Sequence, residues 1–249
     1  VMNEFEKAIV DKLKDDKEYY NGIGKNYLSN SDVGILLNNP KQFRTPRPDN
    51  KNFVYGRYFH QLILEPEKSD NFPICDAASR STKIYKEFIA EHNLEVALLK
   101  KEAEEVVGLK NVLINNMDFC MEILQKGNTY ETPMIKEIGG VLWKGKADIV
   151  TPTNVIDIKT TSNLDAFGYN AKWKYYYCSQ AYIYQQLFGK PLIFLVIEKT
   201  TGQLGWFDCG QEFLELGKNY VEEAIDVYNT YFGDNPTNNI DTYYIKKTL

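Results

Sequence analysis

Apolar residues recur at two different periods along this chain, and the change falls near Gly127. Before it the spacing is helical. Ser31-Asp32 predict the cap of a short apolar helix through Leu37, which Asn38, Asn39 and Pro40 end. Pro46 and Pro48 predict a loop carrying Lys41, Arg44 and Arg47. Helices are predicted over 55–64, stopped by Pro66, over 81–91, and as one long charged helix over 95–124. After Gly127 the runs 130–138, 141–150 and 155–160 read as strands, with a Gly139-Gly140 hairpin turn and a Pro152-Thr153-Asn154 turn between them. Helical spacing returns over 173–188 and stops at Gly189. Two more strands, 192–198 and 204–208, are joined by a turn at Thr201-Gly202, and a helix over 212–232 closes the chain.

The order of elements predicts an α/β layered domain: a mixed central β-sheet flanked by helices, behind a helical N-terminal region. No repeat and no linker rich in Pro and Gly divides it. The expectation is one domain over 1–249, with a mainly helical part (1–127), the sheet and its helix (128–210), and a C-terminal helix and tail (211–249).

With 249 residues, 43% apolar and 14% aromatic, the chain has ample material for a core, which excludes a disordered tail, a collagen-like fibre or a disulfide-stapled miniprotein. The longest apolar run, 192–197, is far short of the ~20 residues a membrane span needs, so no membrane partner is expected. Residues 1–16 mix acids and lysines with no apolar signal core. Cys75, Cys120, Cys178 and Cys209 lie at least 31 residues apart, which suits buried thiols in a reducing compartment. A cytoplasmic location is the expectation. Lys and Arg number 29 against 34 Asp and Glu, a net charge of −5, which on its face argues against gripping nucleic acid.

The candidate chemistry lies in KGKADIVTPTNVIDIKT, residues 144–160. Alternate residues of a strand share a face, so Ile156 and Ile158 point one way while Asp157 and Lys159 point the other. An acid and a lysine on one face of a central strand need a reason. Asp148, on the neighbouring strand of a tight hairpin, can converge with Asp157, and Glu131 on the strand before can add a third carboxylate; Glu137, nearer the hairpin turn, is its rival. Clustered carboxylates repel unless neutralised, and hard oxygen ligands suit Mg²⁺ or Mn²⁺. With an adjacent lysine to stabilise charge and orient or deprotonate water, the set points to phosphodiester hydrolysis.

These residues, taken with YLSNSDVGILLNNPKQF, YGRYFHQLILEPEK, WKGKADIV, VIDIKTTSNLDAF and YYYCSQAYIYQQLFG in that order, give the chain a resemblance to the PD-(D/E)xK nucleases. Within that superfamily it resembles the RecB-like exonucleases, especially the exodeoxyribonuclease VIII type of phages, over roughly residues 29–189. The resemblance implies a restriction-endonuclease-like core. It makes Gly56 and His60 a G-x-x-x-H motif with the histidine at the metal site, Asp148 and Asp157 metal-binding acids, the Ile158 carbonyl a further metal ligand, and Lys159 the catalytic lysine. Gln180 and Tyr184 match a Q-x-x-x-Y motif, one helical turn apart and so on one face, and Glu131 an additional glutamate. The superfamily's proline–aspartate element reads Ala147-Asp148 here. Some relatives hold an iron–sulfur cluster on late clustered cysteines; this chain has no late cluster, so none is expected. His92 has no such company and reads as a surface residue.

The expected activity is Mg²⁺-dependent exonucleolytic hydrolysis of duplex DNA ends, with Mn²⁺ substituting, in phage-type recombination beside a single-strand annealing protein. Relatives of this type assemble as rings, so a homo-oligomeric ring is a further expectation. Alternatives with the same site are an endonuclease or a single-strand or flap nuclease, and a decayed DNA-binding protein. Lys41, Arg44, Arg47, Arg57, Lys172 and Lys174 are candidate DNA contacts, Lys144 and Lys146 flank the site strand, and Tyr175, Tyr176 and Tyr177 offer rings for stacking, with at least one in the core. The net charge then has a reading: acids that hold cations bring positive charge to the place where phosphate arrives, so DNA binding should depend on metal and weaken with salt.

Overall fold

The computed structural model describes residues 2–246; Val1 and residues 247–249, the end of the expected C-terminal tail, lie outside it. The chain opens with α1 (Glu4–Lys12) and α2 (Asp16–Tyr20), begun by Asn3 and Asp15, whose side chains accept from the backbone N–H of Glu6 and Glu18. Neither stands out in the hydrophobic spacing. The next helix, α3 (Asn30–Asn38), starts earlier than expected. Ser29 is its cap, and Asp32 is the partner whose carboxylate accepts from the Ser29 N–H at 2.7 Å and its hydroxyl at 3.0 Å. Likewise α4 (Lys51–Leu64) begins at Asn50, whose side chain accepts from the N–H of Asn52 and Phe53, rather than near Tyr55. Pro66 ends that helix and opens a short one, α5 (Pro66–Ser69), at a position where a missing N–H costs nothing.

The expected long helix over 95–124 is three elements. After β1 (Ile74–Cys75) and α6 (Lys83–Glu91), Leu98 and Leu99 pair in parallel with Ile74 and Cys75 as β2 (Leu98–Leu99). Helix then runs as α7 (Lys100–Asn115), breaks at extended Asn116, and resumes as α8 (Met117–Ile123), with the Asn116 side chain accepting from Phe119 N–H. Helical spacing does not see a two-residue strand or a mid-run cap.

The strands follow expectation closely: β3 (Thr129–Ile138), β4 (Val141–Val150) and β5 (Val155–Thr161). Gly139 and Gly140, both at positive φ, make the two-residue turn between β3 and β4. The expected helix over 173–188 begins later, at Tyr177, and another helix precedes it. A shorter α9 (Phe167–Trp173) is followed by α10 (Tyr177–Phe188), and Tyr176 sits between them at φ 54°. Then come β6 (Leu192–Glu198), β7 (Leu204–Asp208) and α11 (Gln211–Tyr231). The five strands lie in the order β3-β4-β5-β6-β7, antiparallel except for the parallel pair β5–β6, so the sheet is mixed.

Helices cover both faces. On one side Trp143, Val155, Phe194 and Val196 pack with residues of α3, α10 and α11; on the other Ile149, Ile156, Ile158, Ile193 and Leu195 pack with α4, α7 and α8. Strands β5 and β6 are therefore apolar on both faces, as a sheet centre requires, except at Asp157 and Lys159. Among the described residues no helix is long and apolar enough to cross a membrane.

Candidate active site

The β4–β5 ladder has two residue pairs, Ile149–Ile156 and Val150–Val155, and beyond them the strands part. Asp148 fills the fork. Its Oδ2 accepts from the Ile158 N–H at 2.7 Å, a bond the ladder no longer supplies. The same oxygen lies 3.1 Å from Nε2 of His60, on α4, whose Nδ1 is 2.8 Å from the Gly56 carbonyl one turn back. Burial works against charge on His60, but the Asp148 carboxylate outweighs it and pushes the imidazole up to about 9. Reciprocally, burial would raise Asp148, and His60 holds it below the ordinary carboxylate range. A Cβ at Gly56 would meet nothing, so the motif glycine is not there for space.

Asp157 faces α10. Gln180 Nε2 donates to its Oδ1 at 2.5 Å, and Lys159 Nζ lies 2.7 Å from its Oδ2. That second contact is a buried ion pair, so both oxygens of Asp157 are engaged, one by an amide and one by an ammonium. Burial pushes Asp157 above the ordinary range and Lys159 only partly offsets it; Lys159 in turn, against its own burial, is held charged by Asp157. The Tyr177 ring lies 4.7 Å from Lys159 Nζ. Tyr184, one turn beyond Gln180, turns its hydroxyl elsewhere and donates to the Lys146 carbonyl at 2.9 Å, holding α10 against β4.

Strand register separates the two glutamates. Tyr130 pairs with Ile149 and Thr132 with Ala147, so Glu131 stands opposite Asp148. Its φ of 46° is unusual for a residue with a side chain and breaks the ladder locally. Burial, and then Asp148, push its carboxyl up to about 8. Glu137 pairs with Leu142 beside the hairpin turn, exposed and remote.

These side chains fit a hard cation. Asp157 and Glu131, both raised by burial, and Asp148 beside them supply the carboxylate oxygens that Mg²⁺ or Mn²⁺ favours, and a cation there would relieve the burial of their charge. Among the described residues no three His, Cys, Asp or Glu side chains are drawn together as a ready-made metal cage. The reason is visible: Asp148 is engaged by His60, and Asp157 by Lys159 and Gln180.

The basic track needs correction. Lys144 is buried, donating to the Tyr19 carbonyl at 2.5 Å, and burial pushes its ammonium down to about 8. Lys146 is pinned to Asp16 at 2.6 Å with its ammonium 4.6 Å from the Tyr19 ring. Both are sealed by α2 and leave the surface. The Asp15-Asp16 acids ahead of Tyr19-Tyr20 were the signal for that helix. Arg57 is paired with Asp49 at 2.5 Å beside the α4 N-terminus. Arg44 and Arg47 are exposed in the proline loop, Lys172 is half-buried on α9, and Lys174 is exposed with its Nζ 5.2 Å from the Tyr175 ring. Tyr176 and Tyr177 pack partly into the core, whereas Tyr175 is exposed. His92 is exposed and stacks on Phe88. The four thiols are free, Cys75 and Cys178 buried and the other two half-buried.

Residues 37–234 match the family described as PDDEXK-like domain of unknown function (DUF3799). No curated protein matches the chain. Among solved structures the chain is similar to a protein from Eubacterium rectale named "Putative exonuclease", with a TM-score of 0.60 and 16% identity over 94% of this chain and 95% of that one. A second, SSO0001, has a TM-score of 0.35 at 14% identity over 88% and 86% of the two chains, too distant to carry an argument. At 16% identity the first likeness speaks for the fold, and the fold agrees: a five-stranded mixed sheet flanked by helices. With most of its length matched, the chain belongs to the PDDEXK-like DUF3799 family and has the fold of the PD-(D/E)xK nuclease superfamily.

Proposed function

We propose that this protein is a metal-dependent exonuclease that hydrolyses phosphodiester bonds from the ends of duplex DNA, as an end-processing step of phage-type recombination. One observation carries the reading: Asp148 and the buried Asp157–Lys159 ion pair lie on adjacent strands where the β4–β5 ladder parts. The name of the Eubacterium rectale neighbour agrees with it. Asp148, Asp157, His60 and the Ile158 carbonyl would hold Mg²⁺, with Mn²⁺ substituting, and Glu131 lies within reach of that set. Such an ion supplies a polarised phosphate and a more acidic water. Lys159, kept charged by Asp157, stabilises the negative charge that grows on the phosphate oxygens. Gln180 holds the Asp157 carboxylate in one rotamer, and Tyr184 fixes the β4 backbone two residues before Asp148.

The test is digestion of an end-labelled linear duplex with Mg²⁺ beside the same sequence as a covalently closed circle. The expected result is progressive loss of the linear DNA and an intact circle. Nicking or linearisation of the circle would replace the exonuclease reading with an endonuclease.

A further inference from the structure

A ladder of side chains runs outward from the proposed catalytic lysine to solvent. Lys159 Nζ lies 4.7 Å from the Tyr177 ring, Tyr177 stacks on Tyr175 with centroids 5.4 Å apart and planes 29° from parallel, and Lys174 Nζ sits 5.2 Å from Tyr175. The inner end is anchored: Tyr177 lies 5.5 Å from Phe194 and 5.9 Å from Phe167. The outer end is not, for Tyr175 is 43% exposed. On α9, just before it in the chain, Trp173 and Tyr169 are 52% and 70% exposed, four residues apart and so on one helix face.

The backbone is bent to make this stack. Residues two apart in a continuous helix point to different sides. Here Tyr176, between the two stacked rings, takes φ 54°, a conformation costly for an aromatic residue. It is held there by its neighbours: Asn38 Nδ2 donates to its hydroxyl at 2.9 Å, and its ring packs edge-on against Tyr220. Tyr175 caps Tyr177 on its inner side and keeps 43% of its surface open to water. The bend therefore places one flat, exposed ring in line with the reactive centre.

We propose that Tyr175, stacked on Tyr177 in line with Lys159, is a platform for the unpaired bases of a DNA strand entering the site. The proposal rests on the nuclease reading of Lys159 and deepens it to a substrate class, an end with single-stranded character. Bases stack on exposed aromatic rings whatever their identity. Lys174 covers the outer face of Tyr175 only through an exposed cation–π contact, weaker than base stacking, and its ammonium is then available to a phosphate.

The probe is an oligonucleotide duplex with a short single-stranded overhang carrying 2-aminopurine, bound in Ca²⁺ in place of Mg²⁺, against the blunt duplex. Wild-type protein should quench the 2-aminopurine and bind the overhang about 10-fold more tightly than the blunt end. Tyr175→Ala should lose both, and Tyr175→Trp should restore both. Matching melting temperatures of the three proteins show that the fold is kept. No quenching by wild type, or quenching retained in Tyr175→Ala, overturns the platform. Cleavage in Mg²⁺ is read separately: linear duplex degraded without quenching removes the platform alone, whereas quenching without cleavage of any DNA removes the nuclease reading and leaves the platform as a binding site.

Discussion

Glu131 is a desolvated acid opposite another acid, on a backbone turned to positive φ. Such a residue works against the fold and persists where something else requires it. Glu131→Gln should therefore stabilise the metal-free protein by about 1 kcal/mol or more, seen as a higher melting temperature, while lowering cleavage. A thermal melt in chelator and a digestion in Mg²⁺ check the two halves; a drop in stability would contradict the account of Glu131. Much of the site was legible at this scale, because an Asp and a Lys on the apolar centre of a sheet are conspicuous. The hydrogen bonds of Gln180 and Tyr184 were not: residues one turn apart share a face, but spacing does not say that one reaches Asp157 and the other a carbonyl of β4. The choice between Glu131 and Glu137 needed strand register, which the hairpin turn defines only once the strands are built.

Elements meet most closely where α11 crosses α10. A Cβ at Gly217 would run into the Cys178 carbonyl, backbone against backbone. Gly217→Ala should destabilise by about 2–3 kcal/mol although alanine is the better helix former, and a denaturant titration measures it. The small β1–β2 sheet and its helices depend on another contact. Arg80 grips both oxygens of Glu102 at 2.8 and 2.6 Å and reaches the Ala97 carbonyl at 3.2 Å. Burial would raise Glu102, yet Arg80 holds it below its ordinary value. Its contribution is thus present above the unfolded-state pKa and is lost as pH falls through the depressed one. Glu102→Gln should flatten acid denaturation in that window, costing about 1 kcal/mol at neutral pH and nothing at low pH. This was the region the sequence misread as one helix. The two-residue strand that interrupts it exists only through pairing with residues more than twenty positions earlier.

For the whole molecule, the net charge of −5 means that the DNA binding proposed above would rest on a local track of cations. Lys144 and Lys146 are spent under α2, which shifts the burden to Arg44, Arg47, Lys172 and Lys174. Binding of duplex DNA in Ca²⁺ should fall steeply with salt, and Arg44→Ala and Arg47→Ala should each reduce the slope of log affinity against log salt by about 1. Slopes equal to wild type would take the proline loop out of the interface. The layered order of helix and strand was readable in the chain because the period of apolar residues changes with each element. The covering of the sheet's lysines by α2 was not, since it depends on where a short polar helix lands after the sheet has formed.

The most direct measurement compares wild type, Asp157→Ala and Lys159→Ala on an end-labelled linear duplex in Mg²⁺, with DNA binding followed in parallel. Removing the carboxylate that would hold the cation, or the ammonium that stabilises the reacting phosphate, should lower cleavage by at least ~100-fold in each variant while binding persists. Cleavage unchanged in both would contradict the assignment of the Asp148–Asp157–Lys159 fork as the active site.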